Sequence, residues 1–269
     1  MNNLLKRTLT GSLYVAVVVS SLLTHPLVFA ALIILFNLQS LREIRKMSEG
    51  LLKVSPIWIY INTLLLAMSL LLTFYNSPLP FRIIPLVVLI IYLLIQALYL
   101  SPDTNKYFLL WSVFSSIYIT LPLVLLSITH FDSIKLNIPI VLLVFIIIWV
   151  NDSFAYLFGI SFGKHRLFER ISPKKSWEGF IGGLIMSLIA SYIAFRIYPG
   201  MSLYAWLLFG LFTSLAGVFG DLIESMLKRS VNVKDSGTML PGHGGVLDRI
   251  DSLLLVSPVI FLYLLILNY

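Results

Sequence analysis

Apolar runs alternate with short polar breaks along the whole chain, and no break is long enough to hold a soluble core. The runs cover Gly11–Thr24, Pro26–Ser40, Ile57–Phe74, Phe81–Leu100, Tyr107–Thr129, Ile138–Ser161, Trp177–Ile197, Leu203–Leu227 and Ser252–Leu267. A helix crossing a bilayer needs about 20 apolar residues. The pattern therefore predicts an all-α, polytopic helical membrane protein with about nine transmembrane helices, in a range of seven to nine. The range comes from the first two runs, which are short enough to form one broken helix or a shallow hairpin. Lys6 and Arg7 ahead of Gly11 resemble the head of a secretory leader. The apolar pattern resumes after His25-Pro26, so a membrane hairpin is expected instead. The segment from Arg42 to Val54 fits either an amphipathic piece in the interface or an ordinary solvated loop.

Composition agrees with this reading: 59% of the 269 residues are hydrophobic and 12% are charged. The net charge of +7 is explained by topology without a nucleic-acid partner. If the N-terminus is cytoplasmic and all nine runs cross, all but Arg82, Lys135 and Arg196 of the 19 Lys and Arg residues fall on the cytoplasmic side. That is the asymmetry of the positive-inside rule. The absence of Cys excludes a disulfide framework, a thiolate nucleophile and a thiolate metal site.

The two halves differ in polarity. Residues 1–136 read as N-terminal scaffold helices. Residues 137–269 read as the region with chemistry, carrying cytoplasmic loops at 162–176 and 228–251. Asp152 and Asp221 lie within apolar runs, where a charge costs at least about 2.5 kcal/mol and faces a partner or a polar cavity. Asp221, Glu224, Ser225 and Lys228 share one helical face. The stretch "DSGTMLPGHGGVLDRID" reads as a Gly/Pro-rich loop entering a helix, with Asp248 and Asp251 on one face of its first turns. Two carboxylates, a glycine-bearing loop and Lys228, Arg229, Lys234 and Arg249 suit a polyphosphate bound with a divalent cation. His243 stands in that loop without the partners of a zinc site. Ser176 is placed to cap a helix starting at Trp177. Lys164, Lys174 and Lys175 suit an anionic lipid head or a nucleotide, although topology alone also accounts for them.

The segment "SMLKRSVNVKDSGTMLPGHGGVLDRID", Ser225 to Asp251, closely resembles the signature of phosphatidate cytidylyltransferases (CDP-diacylglycerol synthases), with no departure over its 27 positions. "NDSFAYLFG", "FGKHRL" and "ISPKKSWEGFIGG" resemble upstream segments of that family in the same order. The resemblance implies an enzyme of phospholipid synthesis that converts CTP and phosphatidate to CDP-diacylglycerol and pyrophosphate with Mg²⁺, a second cation being left open. It implies that Asp221 and Asp248 hold the metal, with Asp251 as a further ligand or a partner of the ligands. Asn151 and Asp152 would complete the polar cavity, and Lys228, Arg229, Lys234 and Arg249 would take phosphate charge. His243, Gly244 and Gly245 would shape the nucleotide pocket. Lys174, Lys175 and Ser176 would meet the lipid phosphate or the triphosphate, and Ser225 and Asp235 count among the substrate-contacting positions. The expected location is the inner membrane, multi-pass, with the site facing the cytoplasm among membrane lipids; self-association into a homo-oligomer is left open. Two other readings compete: a CTP-dependent polyprenol kinase, which would release CDP, and an ion-coupled transporter using Asp152 and Asp221.

Overall fold

The computed structural model describes residues 3–48, 56–98, 110–135, 138–239 and 244–267. Among them are nine helices: α1 (Asn3–Thr24), α2 (Pro26–Ser48), α3 (Ile57–Phe74), α4 (Leu79–Leu98), α5 (Leu110–Ile134), α6 (Ile140–Phe162), α7 (Trp177–Ile197), α8 (Leu203–Ser230) and α9 (Leu247–Ile266). Seven of these, α2, α3 and α5 to α9, are long and apolar enough over the described residues to cross a membrane. In α1 and α4 the described apolar stretches are shorter, Thr8–Thr24 and Leu79–Ile95. The chain is thus an all-α polytopic membrane protein. One addition to the sequence expectation is a small antiparallel hairpin, β1 (Arg166–Phe168) with β2 (Ser172–Ser176), inside what reads as a plain loop.

The helices form two compact units. The first contains Met1–Phe131 and Asp235–Arg249, and the second contains Asp132–Lys234 and Ile250–Tyr269.

In the first unit, α1 and α2 form a hairpin and not one long rod. Tyr14 and Phe36 lie nearly equidistant from His25 along the chain, yet their rings stack with centroids 6.3 Å apart. The His25 ring supports the turn, its Nδ1 accepting from the Leu27 amide at 3.2 Å. Inside the unit, buried neutral polar groups tie α2, α3 and α5 together. The Thr120 hydroxyl lies 2.8 Å from Asn37 Oδ1 and 2.5 Å from Asn62 Oδ1, and Asn62 Nδ2 donates to Ser116 Oγ at 2.7 Å. Where no water reaches, such side chains must find partners on neighbouring helices. Ser116 and Thr120 bound a π-helical turn in α5, which aims both inward.

In the second unit, α7 shows how the sequence divides lipid from protein. Ile181, Ile185, Ile189 and Ile193 are exposed along one side. Gly179, Gly183, Ser187, Ser191 and Ala194 are buried along the other. Small residues let backbones approach closely, and a Cβ at position 183 would sit 2.8 Å from the Asn151 carbonyl oxygen of α6.

Candidate active site

The polar stripe of α8 forms as its spacing predicts. Ser225 Oγ donates to Asp221 Oδ1 at 3.2 Å. One turn further on, Lys228 pairs with Glu224, which is buried. The stripe meets α9 because Gly220 brings the two backbones together. A Cβ there would lie 2.7 Å from the Asp251 carbonyl oxygen and 3.0 Å from Ser252 Cα. Asp251, half-buried, accepts from the Ser252 amide at 2.6 Å and lies within electrostatic reach of Asp221, Asp152 and Lys228.

The hairpin supplies another cation. Lys175 Nζ lies 2.7 Å from Asp221 Oδ2, both side chains partly open to solvent. Two local features hold Lys175 in place. Ser176 ends β2 and caps α7, its hydroxyl accepting from the Gly179 amide at 3.1 Å, as sequence predicts for a Ser before an acidic first turn. Glu178, in that first turn, takes the His165 ring at 2.6 Å, and the Trp177 amide donates to the His165 carbonyl at 2.9 Å. The base of the hairpin is therefore clasped to the start of α7. Asn151 is buried under this region, where its Oδ1 accepts from Ser214 Oγ at 2.7 Å. Its neighbour Asp152 is exposed.

In the first unit, Asp248 shapes the entry to α9. Its Oδ2 accepts from the Gly245 amide at 2.7 Å and from the Ser236 amide at 3.0 Å, with Ser236 Oγ also at 3.0 Å. The second residue of α9 thus reaches back to the amide two residues before the helix begins and ties the loop to its first turn. Gly244 has φ +79° and a Cβ there would run into Asp248 Oδ2. A side-chain-bearing residue is disfavoured on both counts.

The sequence profile of the cytidylyltransferase family matches residues 5–267. The chain belongs to this family. It is similar to the phosphatidate cytidylyltransferase of Staphylococcus aureus (strain COL), 49% identical over 127 residues, which are 46% of this chain and 48% of that protein. It is also similar to the protein of that name from Bacillus subtilis (strain 168), 50% identical over 122 residues, 45% of this chain and 44% of that protein. The chain thus spans about half the length of the curated relatives it matches.

The second unit brings Asp152, Lys175, Asp221, Ser225, Lys228 and Asp251 into one neighbourhood of the family fold. Lys174, Arg229 and Lys234 are exposed, and Arg229 Nη1 donates to the Val233 carbonyl at 3.2 Å. Ser176 and Asn151 are buried and engaged with the helices around them. Asp235, Gly244, Gly245, Asp248 and Arg249 belong to the first unit. The Arg249 side chain is exposed, and its carbonyl accepts from Tyr14 Oη at 3.2 Å. His243 lies outside the described residues. Two acidic residues absent from the sequence-based set stand out. Glu224 holds Lys228, and its place on the polar stripe was the available signal. Glu43, from the end of α2, is buried and receives the Val246 and Leu247 amides at 2.9 Å each; nothing in its local sequence marks it.

Proposed function

We propose that this chain transfers the cytidylyl group of CTP to phosphatidate, forming CDP-diacylglycerol and pyrophosphate. The observation that carries the reading is the family match across residues 5–267, joined by relatives named phosphatidate cytidylyltransferase. The chemistry of the second unit supports it. A phosphate monoester carries about −1.5 to −2 charges at neutral pH, so the lipid phosphate needs no strong base. Its oxygen forms a bond to the α-phosphorus of CTP. The bond from that phosphorus to the bridging oxygen breaks, and pyrophosphate leaves with the electron pair. What remains for the protein is to hold two anions together and to neutralise charge as it moves. Lys175, oriented by Asp221, and Lys228, oriented by Glu224, are the ammonium groups we assign to that task. Lys174, Arg229 and Lys234 add positive charge in the same unit, and the family resemblance assigns Arg249 to phosphate as well.

A divalent cation fits the donor set. Asp152, Asp221 and Asp251 offer hard carboxylate oxygens, and Mg²⁺ takes one or two carboxylates while keeping waters and phosphate oxygens as its other ligands. We assign Asp221 and Asp251 to hold it. When bound, it would offset the triphosphate charge and stabilise the departing pyrophosphate. On the family resemblance, Gly244 and Gly245, in the segment that enters α9, are assigned to the nucleotide, and Asp248 of the same segment to the metal that comes with it. The bias of Lys and Arg supports an inner-membrane protein whose site faces the cytoplasm, where CTP arrives from water and phosphatidate from the leaflet.

The test uses the purified full chain with phosphatidate, Mg²⁺ and CTP labelled at the α-phosphate. The label should move into the lipid as pyrophosphate appears, and chelation of the metal should stop both. Asp221→Asn should lower turnover by about a hundredfold or more. Release of CDP with transfer of the γ-phosphate instead would overturn the reading in favour of a lipid kinase.

A further inference from the structure

Glu43 lies near the C-terminal end of α2, in a helix that otherwise reads as scaffold, and is almost fully buried. Each of its carboxylate oxygens receives two donors. Oε1 accepts from the Val246 amide at 2.9 Å and from Gln39 Nε2 at 2.9 Å. Oε2 accepts from the Leu247 amide at 2.9 Å and from Ser236 Oγ at 2.8 Å. The two amides are among those at the start of α9 that have no partner within their own helix. A negative charge there is also favoured by the helix dipole. Glu43 thus caps α9 from a distant part of the chain.

The glycines around it fit the same account. A Cβ at Gly245 would collide with Glu43 Oε2 and Ser236 Oγ, and a Cβ at Gly237 would stand 3.0 Å from Glu43 Oε1. The carboxylate therefore occupies the room that these glycines leave, and joins Ser236-Gly237 to Gly245-Leu247. Ser236 also contacts Asp248 through both its amide and its hydroxyl, so the same serine is held by one acidic residue from α2 and one from the start of α9.

We propose that Glu43 is a positioning residue for nucleotide binding: its carboxylate fixes the shape of the segment that carries Asp248, Gly244 and Gly245. This rests on the function proposed above, since that reading assigns the segment to CTP. Two hydrogen-bonded oxygens are needed, which makes the usual conservative change a poor replacement. Glu43→Gln keeps one acceptor and turns an amide N–H toward a backbone N–H. Glu43→Asp keeps both acceptors but is one methylene short.

The experiment measures hydrogen exchange at Val246 and Leu247 in the full chain, and half-saturating CTP and phosphatidate for each variant. Glu43→Ala and Glu43→Gln should speed exchange at these amides by at least about tenfold. They should raise half-saturating CTP about fivefold or more, with half-saturating phosphatidate within about twofold of the parent. Glu43→Asp should fall between them and the parent. Wild-type exchange in Glu43→Ala would overturn the proposal, as would equal losses for both substrates. If Glu43→Ala fails to fold, Ser236→Ala removes one donor alone and should shift CTP saturation in the same direction; an unchanged value would count against the proposal. Should the parent chain turn over no CTP, the functional reading falls, and amide exchange by itself decides whether Glu43 holds the segment.

Discussion

Gly217 and Gly220 lie one turn apart on α8, yet adding a methyl group to each should have opposite effects. At Gly220 the new Cβ would meet the Asp251 carbonyl oxygen at 2.7 Å, Ser252 Cα at 3.0 Å and the Ser252 carbonyl oxygen at 3.1 Å. All three belong to backbone, so no side chain can swing away. Ordinary contact needs about 3.5–4.0 Å, so α8 and α9 must part by roughly 0.5–1 Å at this level. Overpacking of this kind costs about 1–3 kcal/mol, against which Ala returns up to about 1 kcal/mol of helix propensity. At Gly217 the nearest atoms would be Ser252 Cβ and Val256 Cγ2 at 3.8 Å, so Gly217→Ala keeps the propensity gain without the clash. The two variants should therefore differ by about 1–3 kcal/mol in stability, measured by thermal unfolding of the detergent-solubilised chain. Turnover should separate them further, because Asp221 follows the forced gap directly and moves away from Asp251. A loss of about ten- to a hundredfold is expected for Gly220→Ala, with Gly217→Ala near the parent. If Gly220→Ala melts with Gly217→Ala and keeps full turnover, the close approach of these helices does not set the site.

Lys175→Met removes the ammonium group beside Asp221. Both side chains are partly solvent-exposed, so stability should fall by less than about 1 kcal/mol, whereas turnover should drop by about a hundredfold; a parallel melt and assay separates these effects. Gly244→Ala places a side chain at φ +79° and against Asp248. It should destabilise the chain by about 1–2 kcal/mol in denaturant unfolding and raise half-saturating CTP.

Much of this architecture is written in local sequence. Apolar runs mark the helices because a membrane span needs continuous hydrocarbon on its outside. Ser176 announces α7 because a hydroxyl before an acidic first turn has one favourable use. The α8 stripe is visible because residues three and four apart share a face. Contacts across sequence are another matter. Glu43 lies 193 residues from Ser236, and a lone Glu among Arg42, Arg45 and Lys46 looks like one more charge at a helix end. The β1–β2 hairpin lacks alternating apolar positions, so the strand that presents Lys175 to Asp221 reads as a basic loop. The α2–α3–α5 polar knot is equally hidden, because Asn37, Asn62 and Thr120 are single polar residues in apolar runs. Their meaning appears only when the three meet.

The widened turn at Ser116–Thr120 has a consequence for how the chain can vary in length. A π turn holds one residue more than the α-helix on either side, which makes it an insertion already absorbed. Deleting one residue there would let ordinary α-helical bonds close while both flanks kept their orientation, with Leu123 and Leu126 still facing inward. Elsewhere in a spanning helix, the same deletion would rotate everything downstream by about 100°. The cost at this joint would be confined to the aim of Thr120 at Asn37 and Asn62, so here the loss of a residue leaves the rest of the helix in register.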